Sequence, residues 1–517
     1  MLSHVRLPEG FALNLGLKDY ASRRYLKEAL IGRRGDGDEQ IHPGRRTYDG
    51  TYTELTLHWQ GIEVLVQSVA VGEDLRDLIV LATPASTHRK PPLLVVEPGV
   101  LWNQPGHVIR EGEALLALCA EKTFVAYGTR LSVSDPYIAA QTPYLAMPLD
   151  GPVGLSTGRR RSVEEIQAIL ARHRADHETY VEGFEELSEV YAAVQTCLAW
   201  DTVYEPEGRR VISPVSRIWN VHWGGFVLFD WDTYFAAYLA ALDNKALAYA
   251  NAVEITRERT ERGFIPNFGT VADIKSRDRS QPPVGSLVVR ELYRRFGDQW
   301  LLEEVFEDLL NWNRWWPEAR ACSGLAGGDP VHGDLLCWGS DPYTPRADAH
   351  FELHGVRDRL GAALESGLNN SPMYDDVPFD PQTNLMQLAD AGLNGMYVLD
   401  CEALGDIAAV LGEHAVAAEV RERAAAFRAA LAGLWDAERG LFFNRRTDTG
   451  EFSRRISPTN FYPLLGRAAT QEQAERMIAE HFYNPGEFWG MWVLPSIVRD
   501  DPAYLDQTYW RAASGPR

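Results

Sequence analysis

The sequence predicts a mainly α protein preceded by an antiparallel β domain, and three observations carry that prediction. Residues 51–59 and 63–71 alternate polar and apolar side chains, the period of a strand with one face in a core. Turn clusters such as Tyr48-Asp-Gly, Glu97-Pro-Gly and Gln104-Pro-Gly punctuate the chain up to residue 155. After that point apolar residues recur every three or four positions, the period of a helix.

Within the first region the strands expected are Thr51–Trp59, Glu63–Val71, Leu78–Ala82, Leu93–Val96, Ala114–Leu118 and Thr123–Ala126. Short β-branched or apolar runs between turn signals fit a β-sandwich over residues 1–155. Ser162-Val-Glu-Glu reads as an N-cap with early acidic residues, opening a helical pattern that runs to Trp200. Residues 156–200 are therefore expected as a linker helix leading into a helical domain, 201–517. Its clearest helices are Asp230–Leu242, Asn244–Arg262, Val284–Phe296, Gln299–Trp316, Asn384–Leu411, Ala415–Trp435 and Gln471–His481. Val420, Ala424, Phe427, Leu431 and Leu434 form one apolar stripe. Gly412-Glu-His reads as a short connection between antiparallel helices.

Composition bounds the function. Hydrophobic residues make up 45% of 517 residues, enough for a large core. The formal net charge of −21 argues against nucleic-acid and anionic-membrane partners. Arg159-Arg160-Arg161 reads as a solvated run. The five cysteines, 119, 197, 322, 337 and 401, are scattered and lack metal-ligand spacing, and most are expected to be buried thiols in a reducing compartment. The N-terminus lacks an apolar signal core, and no run of ~20 apolar residues occurs. A cytoplasmic protein with no metal and no cofactor is expected. Fifteen Trp and 21 Tyr supply aromatic faces of the kind that stack on sugar rings, although a single Trp is more often ordinary core.

Glu365-Ser-Gly-Leu-Asn-Asn-Ser-Pro-Met373 lies between helical patterns, and its Gly, Asn, Ser and Pro make it a loop. The stretch resembles the acid-bearing Glu-Ser-Gly-x-Asp-Asn-Ser-Pro loop of (α/α)6-barrel glycosidases similar to glycoside hydrolase family 63. That family includes processing α-glucosidase and bacterial mannosylglycerate and glucosylglycerate hydrolases. The resemblance covers residues 200–511. It implies an (α/α)6 toroid behind an N-terminal β-sandwich, and an inverting hydrolase for a small α-glucoside or α-mannoside. It puts Asn369 at the general-acid position, where Asp is expected. An amide has no acidic proton to give, so either a natural variant of weak or altered activity or a deliberate replacement is implied.

Other motifs extend the resemblance. Trp223-Gly-Gly-Phe and Phe229-Asp-Trp-Asp-Thr match a segment whose Asp binds sugar hydroxyls, a role carried to Asp232. Asp232 is equally a helix N-terminal charge favoured by the dipole. Phe264-Ile-Pro-Asn and Ser280-Gln-Pro-Pro follow, with Gln281 facing the pocket. Trp338 is either a stacking residue for the leaving group or a buried anchor. Asn384–Asn394 reads as scaffold, with Gln387, Asp390 and Asn394 behind the loop. The expected substrate-binding set is Trp223, Phe229, Trp231, Asp232, Gln281, Trp338, Glu365, Gly367, Asn370, Tyr509, Trp510 and Arg511.

An inverting mechanism needs a second carboxylate as base. The family takes it from a Glu beyond Tyr-Trp-Arg, here Tyr509–Arg511. Only Ala512–Arg517 follow, so the final hairpin and base Glu are expected to be absent from this chain. Asp375 and Asp376 are the nearest alternative acids, and Glu487 precedes the landmark. Two further readings stay open: a non-catalytic sugar binder, and a phosphorylase or epimerase on the same scaffold. An epimerase draws attention to His222, His350 and His354.

Overall fold

The two alternating stretches pair with each other. Strand Tyr52–Trp59 runs antiparallel to Ile62–Val71. Between them Gln60 and Gly61 both have positive φ, 53° and 75°, the tight two-residue turn whose twist suits a hairpin. The computed structural model describes all residues except 1, 7–9, 28, 30, 32–38, 73–76, 120–121, 141, 216–224, 323–334, 345–354, 492–493 and 512–517. The chain falls into two compact units, Met1–Pro206 and Glu207–Arg517.

In the first unit an eight-stranded and a five-stranded sheet, both antiparallel, bury one shared core. Alternate residues Phe11, Leu13, Leu15 and Leu17 of the smaller sheet meet Leu55, Leu57, Val64 and Val66 of the larger. All six expected strands are present, with ends shifted by a few residues at most. The helical stretch after Ser162 is two helices, α1 (Val163–Glu182) and α2 (Ser188–Asp201), broken at Gly183. Ser162 and Glu165 close a reciprocal capping box at the start of α1. Ile166 and Leu170 of α1 pack on Tyr52, Val69, Ile79 and Leu81 of the larger sheet. Trp200 of α2 joins the shared core and donates from its indole to Gly44 O at 2.7 Å. Both helices therefore cluster with the sheets.

The second unit is helical, with a six-stranded sheet of short strands and separate two-stranded pairs. Helices α3 (Asp230–Ala240) and α4 (Lys245–Arg257) are joined through Asn244, whose side chain caps α4. α5 (Gly285–Phe296) and α6 (Gln299–Arg320) follow, then the short α7 (Arg359–Glu365). α8 (Ala391–Leu411) and α9 (His414–Leu431) are linked by Gly412 and Glu413. The stripe Val420, Ala424, Phe427, Leu431 and Leu434 is buried throughout.

Two expected helices are corrected. Residues 384–390 do not begin α8: Leu385–Ala389 is a strand between Leu335–Gly339 and Asn444–Arg446. Leu, Met, Gln and Ala favour helix locally, but backbone pairing on both sides wins, and Asp390 then caps α8. The helix expected to Gln471–His481 is α10 (Gln471–Arg476) followed by a π turn, Met477–Phe482. Among the described residues no helix is long and apolar enough to cross a membrane.

Candidate active site

The loop after α7 is held at Gly367 and at Asn370. Gly367 has φ of 71°, and a Cβ there would lie 2.5 Å from Cζ2 of Trp231, so only glycine lets the loop rest on that indole. Asn370 accepts from Trp510 N at 2.9 Å, and its carbonyl accepts from Arg511 Nε at 3.0 Å. Its amide donates to Thr508 O at 3.3 Å. The loop and residues 508–511 thus form one wall. Asn369 projects from this wall, and its Nδ2 donates to Tyr509 Oη at 3.3 Å.

The opposite wall begins where Leu228–Phe229 pairs with Phe268–Gly269 and α3 starts. Asp230 and Asp232 both lie in the first turn, where the helix dipole favours acidic groups. Burial pushes the Asp232 carboxyl up to about 6. Asp230 is fully buried, and burial raises its pKa well above the usual range. Trp231 N donates to Gln281 Oε1 at 3.2 Å, which joins α3 to the loop before α5.

Between these walls lies a cavity of about 460 Å³. Of the residues expected from sequence, Phe229, Trp231, Asp232, Gln281, Gly367, Asn369, Tyr509 and Trp510 line it. Asp232 is the one carboxylate among its described lining residues. A second cavity of about 410 Å³ shares Trp231, Tyr509 and Trp510 with the first.

Four expected binding residues are not in either lining, and each has a structural reason. Trp338 sits in the strand Leu335–Gly339, 2% exposed, its ring 6.0 Å from that of Trp316. It is the buried anchor, not a stacking surface. Asn370 spends its polar atoms on the 508–511 segment. Arg511 pairs with Asp375 and Asp506. Asp375 is thereby engaged and lines neither cavity, and Glu487 is paired with His481 at 2.7 Å. Trp223, His222, His350 and His354 lie outside the described residues.

Glu365 is the fourth. It is fully buried and accepts four hydrogen bonds: Ser280 N at 3.0 Å, Gly339 N at 2.6 Å, and Arg320 Nε and Nη2 at 2.7 and 2.9 Å. Burial raises its pKa, while the Arg320 fork and the two amides pull it back. Four donors around two oxygens satisfy a carboxylate and leave no acceptor for a proton. Burial also works against the Arg320 charge, yet Glu365 and Asp341 more than offset it and raise its pKa. Glu365 therefore braces the start of the loop 366–371 against Ser280, beside Gln281.

Sequence reasoning missed Asn267, Phe268 and Arg279 in the first cavity, and Pro458, Thr459, Tyr462, Leu494 and Ser496 in the second. Phe264-Ile-Pro-Asn267 and Ser457-Pro-Thr-Asn were the available signals, loop residues beside helix starts. Arg279 is buried and donates to Asp278 at 2.8 Å.

A fold of paired helices with an aromatic, carboxylate-bearing cavity is the setting of a glycoside hydrolase domain. The model of one such family, the mannosylglycerate hydrolase MGH1-like glycoside hydrolase domain, matches residues 226–516, more than half of the chain, and the chain belongs to that family. A trehalase of Oryctolagus cuniculus is 27% identical over 261 residues, 47% of this chain and 44% of that protein. The mannosylglycerate hydrolase MGH1 of Selaginella moellendorffii is 24% identical over 267 residues, 45% of this chain and 52% of that protein. The chain thus spans about half the length of these relatives. The crystal structure of a GH63 mannosylglycerate hydrolase from Thermus thermophilus in complex with glucose shares 21% identity and a TM-score of 0.44, covering 57% of this chain and 78% of that one.

Proposed function

We propose that this chain binds a small α-glucoside or α-mannoside in the cavity at the start of α3. The substrate class is a glycosylglycerate, disaccharide or oligosaccharide. The helix pairs of residues 201–517 belong to an (α/α)6 toroid, and residues 1–155 to a β-sandwich before it. The lineage is that of an inverting hydrolase. Asp232 accepts sugar hydroxyls, Gln281 and the aromatic side chains orient the ring, and Asn369 stands at the proton donor's position. An amide cannot protonate a leaving oxygen at neutral pH, so binding is retained while hydrolysis is slow. A partner carboxylate acting as base on water belongs roughly 6.5–9.5 Å from the acid in this mechanism, and no residue is assigned to it.

The observation that carries this reading is that Asp232 and Asn369, more than 130 positions apart, line one cavity with Tyr509 and Trp510. Family membership supplies the chemistry. Calorimetry with methyl α-glucoside, methyl α-mannoside and their disaccharides tests binding, and heat is expected with at least one. Absence of heat with all of them overturns the reading. Aryl α-glycoside hydrolysis by the chain and by Asn369→Asp tests the donor position. A gain on the order of 10²–10⁴-fold is expected, the usual contribution of a positioned acid. Equal and measurable rates from both proteins would remove the acid role from residue 369.

A further inference from the structure

We propose that the second cavity seats the leaving group, and that this group is a neutral polyhydroxylated ring, a second sugar, in preference to an anionic one such as glycerate. The inference rests on the glycoside reading above and names the partner of the sugar in the first cavity.

The two cavities flank the proton donor's position and share Trp231, Tyr509 and Trp510. Asn369 lines the first and its neighbour Leu368 lines the second. A proton donor acts on the oxygen that joins sugar to leaving group, so the bond it serves lies between the two spaces. Tyr509, in contact with Asn369 at 3.3 Å, lines both, as do Trp231 and Trp510. A ligand that fills both therefore passes this aromatic wall. At about 410 Å³ the second space has room for more than a three-carbon acid.

Its chemistry is uncharged. Among its described lining residues none carries a charge, and Thr459, Tyr462, Ser496 and Tyr509 bring hydroxyls. Burial raises the Tyr462 pKa, with Asp390 adding to it, so this phenol stays neutral and can donate. The one cation at the first cavity, among the described residues, is Arg279, and it is paired with the buried carboxylate of Asp278. Arg511 is engaged by Asp375 and Asp506. Among the described lining residues no cation is offered to a carboxylate in exchange for the water it would give up. A pyranose would set its C–H face on Trp or Tyr and its hydroxyls on the polar groups. Leu494 and Tyr509 both hold left-handed backbone, φ 55° and 50°, unusual for such side chains, and both form this lining.

Calorimetry on the full chain at pH 7 tests this with three ligand groups. Methyl α-glucoside and methyl α-mannoside probe the first cavity alone. Neutral α-linked disaccharides add a second ring. Glucosylglycerate and mannosylglycerate add a carboxylate. The preferred disaccharide is expected to bind on the order of tenfold or more tighter than either glycerate conjugate, the cost of an unpaired buried charge expressed as affinity. Leu494→Arg, at a 41% exposed position, is expected to narrow that gap several-fold. If methyl glycosides bind but a glycerate conjugate matches or exceeds every disaccharide, the inference is overturned and the functional reading stands. A disaccharide no tighter than its methyl glycoside also overturns it. If no α-glycoside binds, the functional reading fails first and takes this inference with it.

Discussion

The segment from Glu365 to Asn369 has two ends that differ in exposure and in hydrogen bonding. At one end Glu365 has no exposure and four hydrogen bonds of 3.0 Å or less. At the other Asn369 faces a cavity and, among the described residues, makes one long side-chain hydrogen bond, 3.3 Å, to a tyrosine that is 61% exposed. One end fixes the backbone and the other lines the cavity with an amide. Function in a loop needs both: the buried charge pair removes freedom from the scaffold so that the half-buried amide needs little restraint of its own.

The most damaging way to break this contrast is at the brace. Arg320→Leu leaves Glu365 buried and without its cation, and loss of one partner of such a pair costs about 3–5 kcal/mol. The midpoint of urea denaturation of the helical unit should fall accordingly, and sugar binding should go with it. Glu365→Gln keeps two acceptor positions poorly matched to three or more donors, and a smaller loss of the same sign is expected. A neutral result for Arg320→Leu would mean that the loop is held elsewhere.

Next in size is Gly367→Ala. The left-handed backbone there costs a β-carbon about 1–2 kcal/mol, and the clash with Trp231 adds about 1–3 kcal/mol, as overpacking does. Because Trp231 lines both cavities, the indole must move. Tightest-ligand affinity measured by calorimetry should drop by at least tenfold while the far-ultraviolet circular dichroism spectrum is unchanged.

The contrast within the loop was only half legible in the sequence. Glu-Ser-Gly-x-Asn-Asn-Ser-Pro marks a loop and a family, and Trp231-Asp232 with Gln281 marks the facing wall, because those signals are local. Which polar residue faces in or out is not local. Glu365 and Asn370 look like ligand contacts in a motif, and their partners, Arg320, Gly339 and Trp510, lie 26 to 140 positions away. The same limit explains the strand Leu385–Ala389, whose helix-forming residues are overruled by pairing with segments on either side. The β region was legible where one face is buried and alternation is clean, as at Tyr52–Val71. Its edge strand Gly106–Glu111, half exposed on both faces, lacks that signal.

A pH titration sharpens the comparison from the cavity side. Burial raises Asp232 from 3.8 to about 6. Below about pH 4 the carboxyl is protonated in both folded and unfolded chains and its contribution is whole. Between about 4 and 6 the unfolded chain has lost the proton that the folded chain keeps, so stability falls as pH rises, and above 6 the loss is complete. Asp400 in α8, also raised to about 6 by burial, adds a parallel slope, so the Asp232 share is the difference between the chain and Asp232→Asn. At pH 7 that variant should be the more stable by about 1–3 kcal/mol. Sugar affinity should run the opposite way, rising through pH 6 as the carboxylate becomes an acceptor, and the variant should lack this rise. A flat affinity profile would take Asp232 out of the hydroxyl-binding role.

The smallest expected effect is the most direct check of the exposed end. Tyr509→Phe removes the one side-chain hydrogen bond that Asn369 makes among the described residues, long and at a 61% exposed ring. A bond of this kind contributes at most about 0.5 kcal/mol net, since water replaces it readily. The thermal midpoint should be unchanged and sugar affinity should move by less than about threefold. Retention of the ring keeps the shared wall of the two cavities, so any loss isolates the hydroxyl. A tenfold loss without a stability change would mean that the hydroxyl touches the ligand itself. A large stability loss would mean instead that Asn369 is anchored as firmly as Glu365, and the division of labour along the loop would no longer hold.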